Sequence, residues 1–137
     1  MSDVILKEGR EKSVLRHHPW IYSGAIARVH GEVSSGDIVE VYSSNNEWLA
    51  RGAYSHLSQI NIRILSWNPN ENIINDLIYQ RLISAFTNRK NLYDLGDTNA
   101  FRIVHSESDN IPGLIADCYD DVVVVQYLTA GIERWRD

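Results

Sequence analysis

The spacing of apolar residues changes period twice along this chain, and that limits its fold more than any other feature. In INIRILSW, residues 60–67, the side chains alternate. Ile60, Ile62, Ile64 and Ser66 share one face of an extended segment, and Asn61, Arg63, Leu65 and Trp67 share the other. In INDLIYQRLISAFTNRKNLY, residues 74–93, the spacing becomes helical. Leu77, Leu82, Ala85 and Phe86 fall on one face with Ile78 beside them, and Asn72 or Asn75 is placed to cap the helix. The polar run NPNEN separates the two patterns. After DLGDTN the strand pattern returns in AFRIVHSE, GLIADCY and VVVVQYL. The chain is therefore expected to form two units of different construction.

The first unit reads as short strands joined by polar turns, with one short helix. VILKEG suggests a strand ending at Gly9, and EKSVLRHH at 11–18 a helix. Val14 and Leu15 can face inward there, while Lys12 and Arg16, four apart, share the outer face. Pro19 stops the helix, because the residue before a proline avoids helical backbone angles. Beyond it Trp20 and Tyr22 fall on one side of an extended segment and Ile21 on the other. IVEVY and EWLARGAY are further strands, and Gly52 marks a bulge or a close backbone approach. The expected class is α+β: a small mixed β pseudo-barrel over residues 1–67, a linker at 68–73, and a partial helix-and-strand domain at 74–137. VVVVQYL is apolar on both faces and is expected to be a central strand. TAGIERWRD opens a helix and stops within about two turns, too short to be stable alone. The second unit thus reads as the N-terminal part of a larger domain.

Charge and composition narrow the function. No segment approaches the ~20 apolar residues of a membrane helix, and the start has no basic stretch followed by an apolar run, so cytoplasm is the expected location. Cys118 is the single cysteine, so no internal disulfide forms and a cysteine-rich zinc site is excluded. The net charge of −5 is unevenly placed. Residues 1–67 balance seven Lys or Arg with seven Asp or Glu, whereas residues 68–137 set six against eleven. Within the neutral first part, Lys7, Arg10, Lys12 and Arg16 fall close together, opposed by Glu8 and Glu11. That suits a narrow phosphate-binding patch and argues against a broad electrostatic funnel.

Each candidate site has a plain alternative. The four basic residues either contact phosphates or form a solvated face with internal Glu pairing. His17 and His18 could touch RNA or phosphate, or simply end the helix. They lack metal-ligand spacing, and adjacent helical side chains point ~100° apart. Trp20 and Tyr22 could stack on bases or pack in the core. Arg51 and Arg63 are weaker contact candidates. Glu107 and Asp109, two apart in a strand, would share a side and could do acid–base work, but no nucleophile or phosphate loop accompanies them, and a turn-shaping role before Pro112–Gly113 competes. Cys118 reads as a buried, inert thiol. No glycine-rich nucleotide fingerprint is present.

KEGREKSVLRHHPWIYSGAI, joined to ARGAYS and later to SESDNIPGL, resembles the N-terminal part of the bacterial class I SAM-dependent 23S rRNA (cytosine-5) methyltransferases. The resemblance covers nearly the whole chain. It implies a PUA domain followed by the start of a central domain with strand–strand–helix–strand–strand order. It implies a parent enzyme whose catalytic domain, with its S-adenosyl-L-methionine loop and cysteine nucleophile, lies outside this chain. In that family the thiolate adds to C6 of cytosine and makes C5 nucleophilic toward the methyl group. Cys118 does not match the nucleophile, and Asn110 stands where the family has a further glycine; asparagine tolerates a left-handed turn. Catalytic, cofactor-binding and metal residues are therefore expected to be none here, and the chain alone is expected to be inactive. The expected partner is rRNA, 23S by the resemblance, with Lys7, Arg10, Lys12, Arg16 and His17 as binding candidates. No membrane is expected, while exposed apolar strand surface favours a homo-oligomer. The competing reading is a stand-alone PUA-type RNA-binding adaptor without activity.

Overall fold

The computed structural model describes residues 2–73, 75–93 and 98–137. The chain divides into two compact units, residues 1–73 and 74–137. In the first, strands β1 (Ser2–Leu6), β2 (Trp20–Tyr22), β3 (Ile26–His30), β4 (Ile38–Tyr42), β5 (Trp48–Tyr54) and β6 (Ile60–Ser66) form one sheet in the order β2-β6-β5-β4-β1-β3. Every pairing is antiparallel except β1 with β4, so the sheet is mixed. It curls into a PUA-like half-barrel. Register shifts in four of the antiparallel pairings help it curl, because a bulge bends a strand and increases its twist. Val4, Leu6, Val39, Val41, Ile62 and Ile64 fill the interior, and Val14 reaches it from helix α1 (Glu11–Leu15).

The strict alternation read for β6 is incomplete. Asn61 and Leu65, assigned to the face opposite the isoleucines, are buried as well. Asn61 is satisfied there because its amide donates to the carbonyls of Ser55 and Ser58 at 2.8 and 2.9 Å, tying down the β5–β6 turn.

In the second unit, helix α2 (Asn75–Tyr93) accompanies an antiparallel sheet of β7 (Ala100–His105), β8 (Leu114–Tyr119) and β9 (Val122–Tyr127). Among the described side chains of α2, Ile78 and Ala85 are buried, while Phe86, expected on the inner face, is 39% exposed. The Asn75 side-chain oxygen accepts from Trp135 Nε1 at 3.1 Å. Ala85, Val104, Ile111, Leu114, Ala116 and Ile132 form the core, the last from the short helix α3 (Ala130–Glu133). Among the described residues β8 is central and β9 lies at the edge, against the expectation for VVVVQYL. Val122 to Val125 are 42–54% exposed. A strand's place in a sheet is fixed by which neighbours pair with it, and apolarity on both faces reports only what its side chains can tolerate.

The strand read through AFRIVHSE stops at His105, two residues early, and the SDNIPG that follows is a turn, as its sequence suggests. Ser106–Asp109 form a 3₁₀ turn closed by Asn110 in the left-handed region, φ 59° and ψ 26°. Asn110→Gly is expected to leave thermal stability within about 0.5 kcal/mol, and Asn110→Ala to lower it by about 1 kcal/mol, because a Cβ is disfavoured in that region. A melting series on the two variants checks this.

Candidate nucleic-acid interface

The basic candidates all lie on one turn–helix–turn segment. Lys7 to Arg10 make a type II turn, with the Arg10 amide donating to the Lys7 carbonyl at 3.0 Å and Gly9 at φ 80°. The Lys7 amide donates to the Ala25 carbonyl, and its ammonium to the Gly24 carbonyl at 2.9 Å, which ties β1 to the turn after β2. Helix α1 follows and ends three residues earlier than the sequence suggests, at Leu15. The reason is a Schellman turn. His18 N–H donates to Ser13 O and His17 N–H to Val14 O, each at 2.9 Å. Such a turn needs one left-handed residue just past the helix, and His17 supplies it at φ 60°.

The left-handed conformation sets the imidazole of His17 against the indole of Trp67. The ring centroids are 4.9 Å apart and the planes are 14° from parallel. Trp67, at the end of β6, is held in turn by its Nε1–H, which donates to the Val14 carbonyl at 3.0 Å. One carbonyl therefore fixes both the turn and the indole. His18 meets Trp20 edge-on, with centroids 5.8 Å apart and an interplanar angle of 81°.

Lys7, Arg10, Lys12, Arg16 and His17 are all exposed. Among the described residues, no ion pair joins the four cations to Glu8 or Glu11. The internal pairing that would have neutralised this face is absent there. Glu11 is partly withdrawn from it, since its Oε2 is buried without a hydrogen-bond partner. The face thus keeps a local positive field on a domain whose charges sum to zero, and such a field attracts phosphate.

The remaining candidates separate clearly. Arg51 is only 11% exposed and its Nε donates to Glu40 Oε1 at 2.6 Å, so it is an internal residue and not a contact. Arg63 is half-buried and donates weakly to the Ile60 carbonyl at 3.4 Å. Trp20 is half-buried, while Tyr22 is 48% exposed. Glu107 and Asp109 do not converge. Both Asp109 oxygens accept from Arg89 at 2.8 Å, and one also accepts from the His105 amide at 2.6 Å, while Glu107 accepts from the Ser106 hydroxyl. Asp109 shapes the turn and anchors it to α2. Cys118 is half-buried and its thiol donates to the Asp120 carbonyl at 3.3 Å. Among the described residues no cluster of three metal-ligating side chains occurs, and no helix is long and apolar enough to cross a membrane.

Residues 4–67 match the family described as PUA-like domain. Over those residues the first unit is similar to that family and has a PUA-like fold. The chain as a whole matches the N-terminal region of proteins named ribosomal RNA large subunit methyltransferase I. It is 45% identical to that of Alteromonas mediterranea over 136 residues, covering 99% of this chain and 34% of the relative. It is 41% identical to that of Escherichia coli over 133 residues, covering 97% of this chain and again 34% of the relative. The chain thus spans about a third of the length of the curated relatives it matches. A solved structure from Streptococcus mutans, whose name proposes a SAM-dependent methyltransferase, has the same fold over the entire chain. The TM-score is 0.82 at 18% identity, with 35% of that protein covered.

S-adenosyl-L-methionine does not fit the described residues of the PUA-like domain. Its usual cradle is a glycine-rich turn between a strand and a long helix. Here β1 meets α1 through KEGR, with one glycine, and α1 has five residues.

Proposed function

We propose that this chain is the RNA-binding and substrate-positioning region of a cytoplasmic SAM-dependent rRNA cytosine-5 methyltransferase. In this reading the α1 face of the PUA-like domain touches the large-subunit rRNA. The supporting observation is the set of exposed cations around α1, which no described acidic residue neutralises, on a domain matched to rRNA methyltransferases. Arg10, Lys12 and Arg16 are the principal contacts, because Lys7 already gives one donor to Gly24. His17 adds an exposed ring at the same edge. Contacts of this kind hold the backbone and set orientation without reading sequence. Methyl transfer belongs to the longer protein, and the described residues offer no cradle for its cofactor.

The test is a titration of the 137-residue chain and its Arg10→Ala/Arg16→Ala variant with an rRNA hairpin at two salt concentrations. The variant should bind roughly tenfold more weakly at low salt. Its log K against log salt should be flatter by about 1.4–1.8, the counterions released by two phosphate contacts. Circular dichroism should match wild type, a control needed because arginine stems also cover apolar surface. Equal affinities and equal slopes would return both arginines to the solvated surface.

A further inference from the structure

His17 occupies a position that glycine would fill without strain. The C′ residue of a Schellman turn is left-handed, and a side chain there is strained. Histidine is among the few residues enriched in that region, though still uncommon. At φ 60° the backbone directs the imidazole onto Trp67, 4.9 Å away and 14° from parallel. One face of the imidazole is therefore covered. The residue is nonetheless exposed, so the opposite face is open to solvent. The indole beneath is pinned by its bond to Val14, so the pair is a rigid two-ring stack with an unoccupied outer surface. In sequence it immediately follows Arg16, with Lys12 one helical turn before that, and neither forms an ion pair among the described residues.

We infer that His17, backed by Trp67, is a stacking platform for an unpaired nucleobase. The base would extend the stack on the open face of the imidazole, while the neighbouring cations hold the adjoining phosphates. Every nucleobase has a flat π-face, so the platform takes any base, but only one free of a duplex stack. The ligand class is accordingly a single-stranded or looped nucleotide, not a paired one. This rests on the RNA-binding reading above and adds to it a specific residue and a specific state of the RNA. Trp20 and Tyr22 do not form a comparable platform. Trp20 is half-buried and meets His18 by an edge, and Tyr22 has no ring partner among the described residues.

The variants follow from the backbone. His17→Gly removes the ring and also the left-handed strain, so the turn should survive. His17→Phe restores a ring without charge, and His17→Lys supplies charge without a ring. The probe is a single-stranded RNA carrying one 2-aminopurine, whose fluorescence is quenched on stacking, with a matched abasic strand as control. Wild type and His17→Phe should quench the probe. His17→Gly and His17→Lys should bind roughly tenfold more weakly with little quenching, and the abasic strand should bind all four alike. The salt slope should be the same in wild type and His17→Gly, because no phosphate contact is lost. Tight binding by His17→Lys but not by His17→Phe would overturn the platform in favour of a phosphate contact. Unchanged affinity and quenching in His17→Gly would overturn it outright while leaving the RNA-binding reading intact. Failure of wild type to bind either strand would overturn both.

Discussion

Arg51→Ala is expected to lower the stability of the PUA-like domain by about 3–5 kcal/mol, the range for breaking one partner of a buried ion pair. Arg51 on β5 stands directly opposite Glu40 on β4. Their side chains are 11% and 10% exposed and meet at 2.6 Å. Glu40 is otherwise satisfied by Trp48 Nε1, which donates to Oε2 at 2.6 Å, and Arg51 also donates to the Glu71 carbonyl at 2.5 Å. Removing the guanidinium strands a carboxylate in a site that water barely reaches, and it frees the segment beyond β6. The same carboxylate acts on Tyr42. Burial, followed by the charges of Asp3 and Glu40, raises the Tyr42 phenol above its ordinary value. Glu40→Leu combined with Arg51→Met should recover most of the loss, because apolar groups of similar volume often replace a buried pair without penalty. Urea denaturation of the single and double variants gives the coupling. A loss below about 1 kcal/mol in Arg51→Ala would mean that the pair is effectively solvated.

The pair also shows what the sequence could not reveal. EVYSSNNEWLAR reads as a hairpin, and it is one. Placing Glu40 opposite Arg51 requires the register, which depends on the turn and on a shift between Val41 and Tyr42. One residue of slip would send the arginine to the opposite face. Arg51 was accordingly a weak contact candidate in the sequence and an internal ligand in the fold. Local features were more legible. The start of α1 and the long helix over 75–93 follow from spacing and turn chemistry within a few residues, whereas the end of α1 does not, because the turn at His17 closes the helix before Pro19 is reached. The edge position of β9 was hidden, because strand order is a long-range property that a run of valines does not encode.

The candidate interface divides in the same way. Its cations fall within one short stretch, residues 7–16, so they could be found by inspection. Their lack of acidic partners could not, since Glu8 and Glu11 are equally close in sequence and only the fold shows that neither forms an ion pair with them. The His17–Trp67 stack left no local trace. It needs a left-handed histidine, which RHHP only hints at, and an indole brought from the far end of the domain. Trp67 appeared in the sequence merely as the last residue on one face of a strand. A tryptophan that bonds a helix-end carbonyl and supports an exposed ring is a product of the curled sheet.

The last expected result concerns Gly52, where the sequence and the fold agree. A glycine inside an apolar strand suggested a bulge or a close approach, and the structure has both. The register shifts between Arg51 and Gly52, and a Cβ built on Gly52 would lie 2.6 Å from the Arg63 carbonyl oxygen and 2.7 Å from Ile62 Cγ2. Two features make relief difficult. The nearest atom is backbone, which cannot rotate away, and Ile62 is fully buried in the core. A methyl group would therefore have to push β6 away from β5. That movement weakens the hydrogen bonds of the shared ladder and opens the core beneath it. Overpacking of this kind typically costs about 1–3 kcal/mol, and more where backbone must shift. Gly52→Ala should lose about 3 kcal/mol and Gly52→Val should leave the first unit largely unfolded, which denaturation and amide NMR dispersion would read. The second unit supplies an internal control. Signals from α2 and from β7 to β9 should persist in Gly52→Val, because the second unit has its own core cluster, from Ala85 to Ile132. Simultaneous loss of both sets of signals would show that the two units fold as one, and a native spectrum in Gly52→Val would show that β5 and β6 can part at little cost.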